Sequence, residues 1–354
     1  MGDAARFVRS FRPTIGTWIL AAWLAASLAA CSSPTTPAMA AGNLADSARR
    51  AAPDSVVDPN VAPVLTMRNV QFRFTKDLVV GIDRIHAQMR PAPPATVVSF
   101  DDPASFDLDV SGASVHLTKP QVEVLLNTRI FAYPNANVRN LRVEADGQNL
   151  VIHGTLSKGA TIPFTMAGTP SIREGRWLAI ETKEVKIGAV GVTGLLSALH
   201  ISLSAMINVP ASGNLRVEKN TILIDVFSNL PPPHLHGAIA SLDCCANGIG
   251  LVIGSPNAVS DSALRALVPS AMASSNFVAI RRGQLKFGKL TMVDSDLDLV
   301  DADSRDPFDF YLGRYQCQLA AGDAHATLQY GWRVRMPDFD KLTAEQCPAD
   351  VSSR

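Results

Sequence analysis

Beyond position 60 the chain is dominated by a period-two alternation of apolar and polar residues. Phe106-Asp107-Leu108-Asp109-Val110, Leu141-Arg142-Val143-Glu144 and Leu215-Arg216-Val217-Glu218 each put their apolar side chains on one face, which predicts strands with one buried side. Turn signals separate strand from strand. Asp146-Gly147 stands before Leu150-Val151-Ile152-His153, Glu174-Gly175 before Trp177-Leu178-Ala179-Ile180, and Lys219-Asn220 before Ile222-Leu223-Ile224-Asp225. A long antiparallel meander is the expected assembly.

Two segments break this period and predict helices. Thr118-Lys119-Pro120-Gln121 has the hydroxyl and the Gln of a capping box and opens an apolar run from Val122 to Ile130. In the second, Leu195, Leu196, Leu199, Leu203, Met206 and Ile207 recur at helical spacing. A shorter helix is expected from Ser262 to about Met272, ended or bent near Pro269. The fold class is therefore α+β and rich in β.

The first thirty residues read as an address. Arg6, Arg9 and Arg12 precede an apolar run from Ile15 to Ala30, the charged and hydrophobic regions of an export signal, and the run is short for a membrane span. It closes in Leu28-Ala29-Ala30-Cys31, which resembles a bacterial lipobox, in which the cysteine is lipidated and the signal is cut before it. Two acyl chains anchor stably where one does not, since each buried methylene contributes ~0.8 kcal/mol. Ser32 stands where an inner-membrane retention signal would resemble Asp, so the expected location is the outer membrane, facing the periplasm. From residue 31 to 62 a tract with Pro34, Pro37, Pro53 and Pro59 and no sustained apolar period reads as a tether, with a root-mean-square span of roughly 30 Å. The expected organisation is a signal at 1–30, this tether, one β-rich domain at 63–345 and a tail at 346–354.

Composition narrows the function classes. The 354 residues carry 32 Lys+Arg against 32 Asp+Glu, and only 18% are charged where soluble domains average about 25%. A neutral chain lacks the basic surface that non-specific nucleic-acid binding requires, so no nucleic-acid partner is expected. Removing Asp3 and the three arginines with the signal leaves the mature chain close to neutral. A hydrophobic fraction of 47% excludes disorder of the whole chain.

The succession Val115-His116-Leu117-Thr118, Leu125-Leu126-Asn127, Phe131, then Ile162-Pro163-Phe164 before Gly168, resembles bacterial LmeA-like domains. So do the run from Gly191 to Leu199, Leu215-Arg216-Val217, and Leu230-Pro231-Pro232-Pro233 before Gly237. The resemblance spans roughly Met67 to Gly254. It implies kinship with the tubular lipid-binding (TULIP) superfamily, in which a long curved antiparallel sheet rolls around one or two amphipathic helices and encloses a lipid-sized groove. The stretch from Phe277 onward lies outside it and is expected to complete the same sheet.

A lipid groove also has a physical rationale. The face formed by Leu195, Leu196, Leu199, Leu203, Met206 and Ile207, with small Gly194, Ala198 and Ala205 beside it, can pack on a sheet and leave an adaptable slot. Periodicity alone favours a face that is simply core. The expected ligand is a phospholipid or isoprenoid-type lipid, with the membrane itself as a second partner through Cys31. An assembly role, with the loop Pro231 to Pro233 against another envelope protein, is the alternative, and a hydrolase the third reading.

Catalytic and metal signatures are weak. Asp294, Asp296, Asp298, Asp301 and Asp303 resemble a calcium loop, but Leu299 replaces the tight-turn Gly and Arg305 the closing Glu, so a strand with a solvated face explains them better. His234 and His236 share one side of an extended segment near Cys244 and Cys245, at a spacing that matches no standard zinc finger. There is no Gly-x-Ser-x-Gly elbow, His-Glu-x-x-His or phosphate loop. No metal, cofactor or catalytic residue is assigned.

With Cys31 lipidated, Cys244, Cys245, Cys317 and Cys347 remain, an even number in an oxidising compartment. Neighbouring α-carbons ~3.8 Å apart disfavour a bond within the adjacent pair. The expectation is that Cys244 and Cys245 receive Cys317 and Cys347 in one order or the other.

Overall fold

A computed structural model describes residues 61–158, 160–188, 190–191, 203–210, 213–245, 247–255, 276–327 and 331–348. These belong to one compact unit, Val56–Arg354. The described residues open with β1 (Val64–Arg73) and β2 (Val79–Pro91), then the short β3 (Val98–Ser99) and β4 (Phe106–Thr118). Helix α1 (Lys119–Leu125) runs directly into a π-helical turn, Leu126–Ile130. Hairpins follow through β5 (Val138–Asp146), β6 (Asn149–Lys158), β7 (Ala160–Arg173), β8 (Trp177–Ile187), β9 (Val190–Gly191), β10 (Leu215–Glu218) and β11 (Thr221–Asp225).

The chain then forms β12 (His234–His236), β13 (Ile239–Cys245), β14 (Gly248–Gly254), β15 (Phe277–Arg281), β16 (Leu285–Phe287), β17 (Leu290–Met292), β18 (Asp296–Asp301) and β19 (Phe308–Tyr311). Helix α2 (Tyr315–Ala321), β20 (Asp323–Ala326) and β21 (Trp332–Met336) close the described chain.

Two large, mainly antiparallel sheets replace the single meander that alternation suggests. Strands β5 to β8 do form a meander, extended by β11 and β10 into a seven-stranded sheet in which β9 pairs with β8. The other sheet has eleven strands, ordered β13-β14-β4-β2-β1-β15-β18-β21-β20, with β12 on β4 and β19 on β1. Strand β1 thus lies between β2 and β15, so the segment after Phe277 completes the sheet begun by the first strand. A small third sheet joins β17, β16 and β3.

One contiguous core spans both large sheets, from Leu65 and Ile85 through Leu126 and Leu150 to Ile224 and Ile280. The expected alternation holds where one sheet face meets water, as in β4, where Phe106, Leu108 and Val110 are buried between half-exposed aspartates. It fails in β15 and β18, which are covered on both faces: Phe277, Val278, Ala279 and Ile280 are each at most 1% exposed.

The middle of the acidic run, Asp296 to Asp301, is a strand, but Asp298 and Asp301 are buried and do not form a solvated face. Asp298 is 1% exposed and Asp301 4%. Asp298 takes hydrogen bonds from Arg281 at 2.5 Å and Arg333 at 3.1 Å. Asp301 accepts from Asn276 Nδ2 at 2.9 Å and from the Asp303 N–H at 2.8 Å.

Cysteine pairing also differs from expectation. Cys317 on α2 bonds to Cys347, with α-carbons 5.3 Å apart, so neither reaches Cys244 or Cys245. The bridge fastens the expected tail to a helix, and Cys244 instead packs against the main core from β13.

Candidate functional site

Helix α1 is placed by its polar side chains, and differently from the capping box read in the sequence. Thr118 is the N-cap residue but makes no side-chain cap, and Gln121 Oε1 accepts from the Val79 N–H at 2.7 Å. Gln121 therefore ties the helix start to β2, while Pro120 fits the first turn, where an N–H would be unsatisfied anyway.

The other end of the helix docks on the edge of the seven-stranded sheet. Among the described residues β5 pairs only with β6, which leaves main-chain groups on its free side open to side chains. Glu123 Oε1 accepts from the Val143 N–H at 2.8 Å. Asn127 accepts from the Leu141 N–H at 2.9 Å and donates to the Leu141 carbonyl at 2.7 Å. Helix side chains thus stand in for a missing strand and hold the apolar helix face over the sheet.

Between helix and sheets lies an apolar cavity of about 60 Å³. The helical segment contributes Val122, Leu125, Leu126 and Ile130. The seven-stranded sheet contributes Val143, Leu150, Ile152, Ile180 and Ile224, and the eleven-stranded sheet Leu117, Ile249 and Leu251. Gly248 permits this last wall, because a Cβ there would overlap the Leu117 carbonyl oxygen and prevent β14 from pairing closely with β4.

Asn229 supplies the polar edge of the lining, and its carboxamide is already engaged. It donates to the Asp225 carbonyl at 2.7 Å and accepts from Asn214 Nδ2 at 3.1 Å. The turn that carries it is pinned by Asp225, which is 2% exposed and receives Arg176 Nε at 2.7 Å and Ser228 Oγ at 2.8 Å. Burial works to raise the Asp225 carboxyl, but hydrogen bonds from Arg176 and Ser228 outweigh it and hold the group below its ordinary value. Arg129, exposed on the π turn, reaches the Asn229 carbonyl through Nε at 3.4 Å.

The expected groove face is placed only in part. Leu195, Leu196 and Leu199 lie outside the described residues, as do Cys31 and the segment 262–272. Leu203 and Ile207 are buried in the main core and Met206 packs against it, and none of the three lines the cavity. Asn137 clamps this stretch, donating to the Met206 carbonyl at 2.7 Å and accepting from the Asn208 N–H at 2.9 Å. The cavity wall comes from the other predicted helix, whose apolar run was legible in sequence, as were several of the strands that face it, while their convergence on that helix was not.

Other candidates do not converge. His234 and His236 are exposed on β12, and His236 Nε2 lies 3.1 Å from Asp107 Oδ2. The Cys245 side chain lies outside the described set. Among the described residues no group of three or more His, Cys, Asp or Glu side chains is arranged to hold a metal ion. Pro231 and Pro233 are buried, which leaves little of that loop to offer a protein partner. Among the described residues no helix is long and apolar enough to cross a membrane.

A scan of protein-family models and searches of curated proteins and of solved structures find no match to this chain.

Proposed function

We propose that this chain is an exported lipoprotein, anchored through Cys31 at the periplasmic face of the outer membrane, whose β-rich domain binds or shuttles the hydrocarbon part of a lipid. In this reading the seven-stranded sheet curves around α1 and its π turn, and the lipid chain lies between them. The observation that carries it is the cavity: aliphatic side chains from one helical segment and both large sheets converge on it, and its polar neighbour, Asn229, is already saturated. Such a lining rejects water and favours an acyl or isoprenoid chain, whose burial contributes about 25 cal/mol per Å².

At about 60 Å³ the cavity is the closed state of such a site, since ligand pockets commonly hold ~300 Å³ or more. Opening requires the helix to move from the sheet, and the π turn is suited to this because such turns locally disrupt helical hydrogen bonding. Sequestration needs no covalent step.

The test is native mass spectrometry with organic extraction on the form starting at Ser32, purified without detergent and then offered phospholipid or isoprenoid lipid. A bound lipid that is lost in Leu126→Asp and Ile152→Asp variants of native-like circular dichroism supports the reading. An apo mass that persists after lipid is offered removes it, and moves an envelope assembly role to the front.

A further inference from the structure

We propose that Arg129 recognises an anionic phosphate head group at the mouth of the apolar cavity, making an acidic phospholipid the preferred occupant. This inference rests on the lipid reading and adds the identity of the head group to it.

The argument starts from position. Ile130, the next residue, and Leu126, three residues earlier, are both cavity walls, and the π turn that buries them leaves Arg129 exposed to solvent on the same turn. The contact from Nε to the Asn229 carbonyl, at 3.4 Å, places the guanidinium beside the polar edge of the lining. Neighbouring Asn127 and Thr128 turn their side chains back to main-chain carbonyls, those of Glu123 and Leu141 for the former and Val124 for the latter. They offer no competing recognition group.

Charge completes the case. The outer guanidinium nitrogens of Arg129 have no hydrogen-bond or ion-pair partner among the described residues, whereas Arg73, Arg176, Arg281 and Arg333 each hold a carboxylate. An arginine fork matches a phosphate bidentately, and it is pre-set here by its Nε anchor. A lipid whose chain enters between Leu126 and the sheet would carry its phosphate to that fork. A zwitterionic head group would present the same phosphate with an offsetting cation.

The experiment uses the full-length chain in phosphatidylcholine vesicles doped with a diazirine-tailed phosphatidylglycerol or, separately, a diazirine-tailed phosphatidylcholine. Irradiation is followed by mapping of labelled peptides. Wild type is expected to label α1 and β5 peptides about fivefold more with the glycerol lipid, the factor that an exposed ion pair of about 1 kcal/mol supplies. Arg129→Gln should bring the ratio to about one, mainly through loss of phosphatidylglycerol labelling, and Arg129→Lys, which keeps the charge but not the fork, should retain part of the preference. Raising salt from about 0.05 M to about 0.5 M should erode it in wild type.

Equal labelling by both lipids in wild type, or an Arg129→Gln ratio like wild type, overturns the proposal while the lipid reading stands. Absence of labelling in these peptides by either lipid overturns the lipid reading itself. If soluble glycerol phosphate abolishes the preference, Arg129 is a small-anion site and the proposal also fails.

Discussion

The carboxamide of Asn127 pairs with both main-chain groups of Leu141, accepting from its N–H at 2.9 Å and donating to its carbonyl at 2.7 Å. This is a strand-like pairing made by a side chain where the helix covers the free edge of β5, next to the Glu123–Val143 contact. Asn127→Ala leaves both groups without a partner and should cost about 2–3 kcal/mol in urea denaturation. The Leu141 amide should lose its hydrogen-exchange protection at the same time. Retained protection in the variant would show that the helix is held by packing alone.

Asp301 is the buried carboxylate with the clearest pH signature. Burial pushes it up to about 6 against the opposing hydrogen bonds from Asn276 and the Asp303 N–H, and the nearby Asp338 and Asp306 charges add to the rise. The folded protein therefore holds this proton where the unfolded chain, near 3.9, has lost it. Its contribution to stability is present below about pH 4 and is lost as pH rises through 6. After discounting for solvent screening, wild type should gain about 1–2 kcal/mol relative to Asp301→Asn between pH 7 and pH 4. Urea midpoints measured at both pH values give this difference directly, and parallel changes in the two proteins would contradict it.

Asp298 is shared between Arg281 and Arg333, with the carboxylate more deeply buried than either guanidinium. Deleting Arg333 leaves Asp298 with Arg281, so Arg333→Ala should cost about 1 kcal/mol. Deleting the carboxylate leaves Arg333 without its acid and Arg281 with Asp296 alone, at 3.3 Å, and Asp298→Ala should cost about 3–4 kcal/mol. Equal losses in chemical denaturation would mean that the carboxylate is not the hub.

Where one face of a strand meets water, the fold was legible in the sequence: β4, β5 and β10 alternate, and Glu174 and Lys219 sit in the turns with positive φ of 54°. Where both faces are covered the signal vanished, because Phe277-Val278-Ala279-Ile280 has no period to read. The aspartates of β18 looked solvated because their partners lie far away in the chain, Arg281 17 residues before Asp298 and Arg333 35 after it. The candidate site has the same character. Helix residues 122 to 130 announce an apolar face, but the walls that meet it come from six separate strands, and the Asn127–Leu141 pairing leaves no periodic trace.

The Cys317–Cys347 bridge closes a loop of 30 residues around α2, β20 and β21. Restricting that loop in the unfolded chain is worth about 3–4 kcal/mol, so Cys317→Ser with Cys347→Ser should lose about that much, as should wild type under reductant. Peptide mapping without reduction should recover this linked pair. Recovery of Cys317 joined to Cys244 or Cys245 would reinstate the sequence-based pairing.

Leu126 separates stability from uptake at the cavity. It is 4% exposed and forms the wall at the start of the π turn, so Leu126→Ala deletes packed volume and should cost about 2–5 kcal/mol in the unliganded protein. The same deletion widens a space that is too small for a chain in its closed state. A lipid that binds only the folded form returns stability by mass action, and the return is larger where the site is already partly open. With phosphatidylglycerol vesicles present, the variant's thermal midpoint should recover by more than the wild-type midpoint rises. If the deficit is identical with and without vesicles, the cavity is ordinary core and Leu126 serves packing alone.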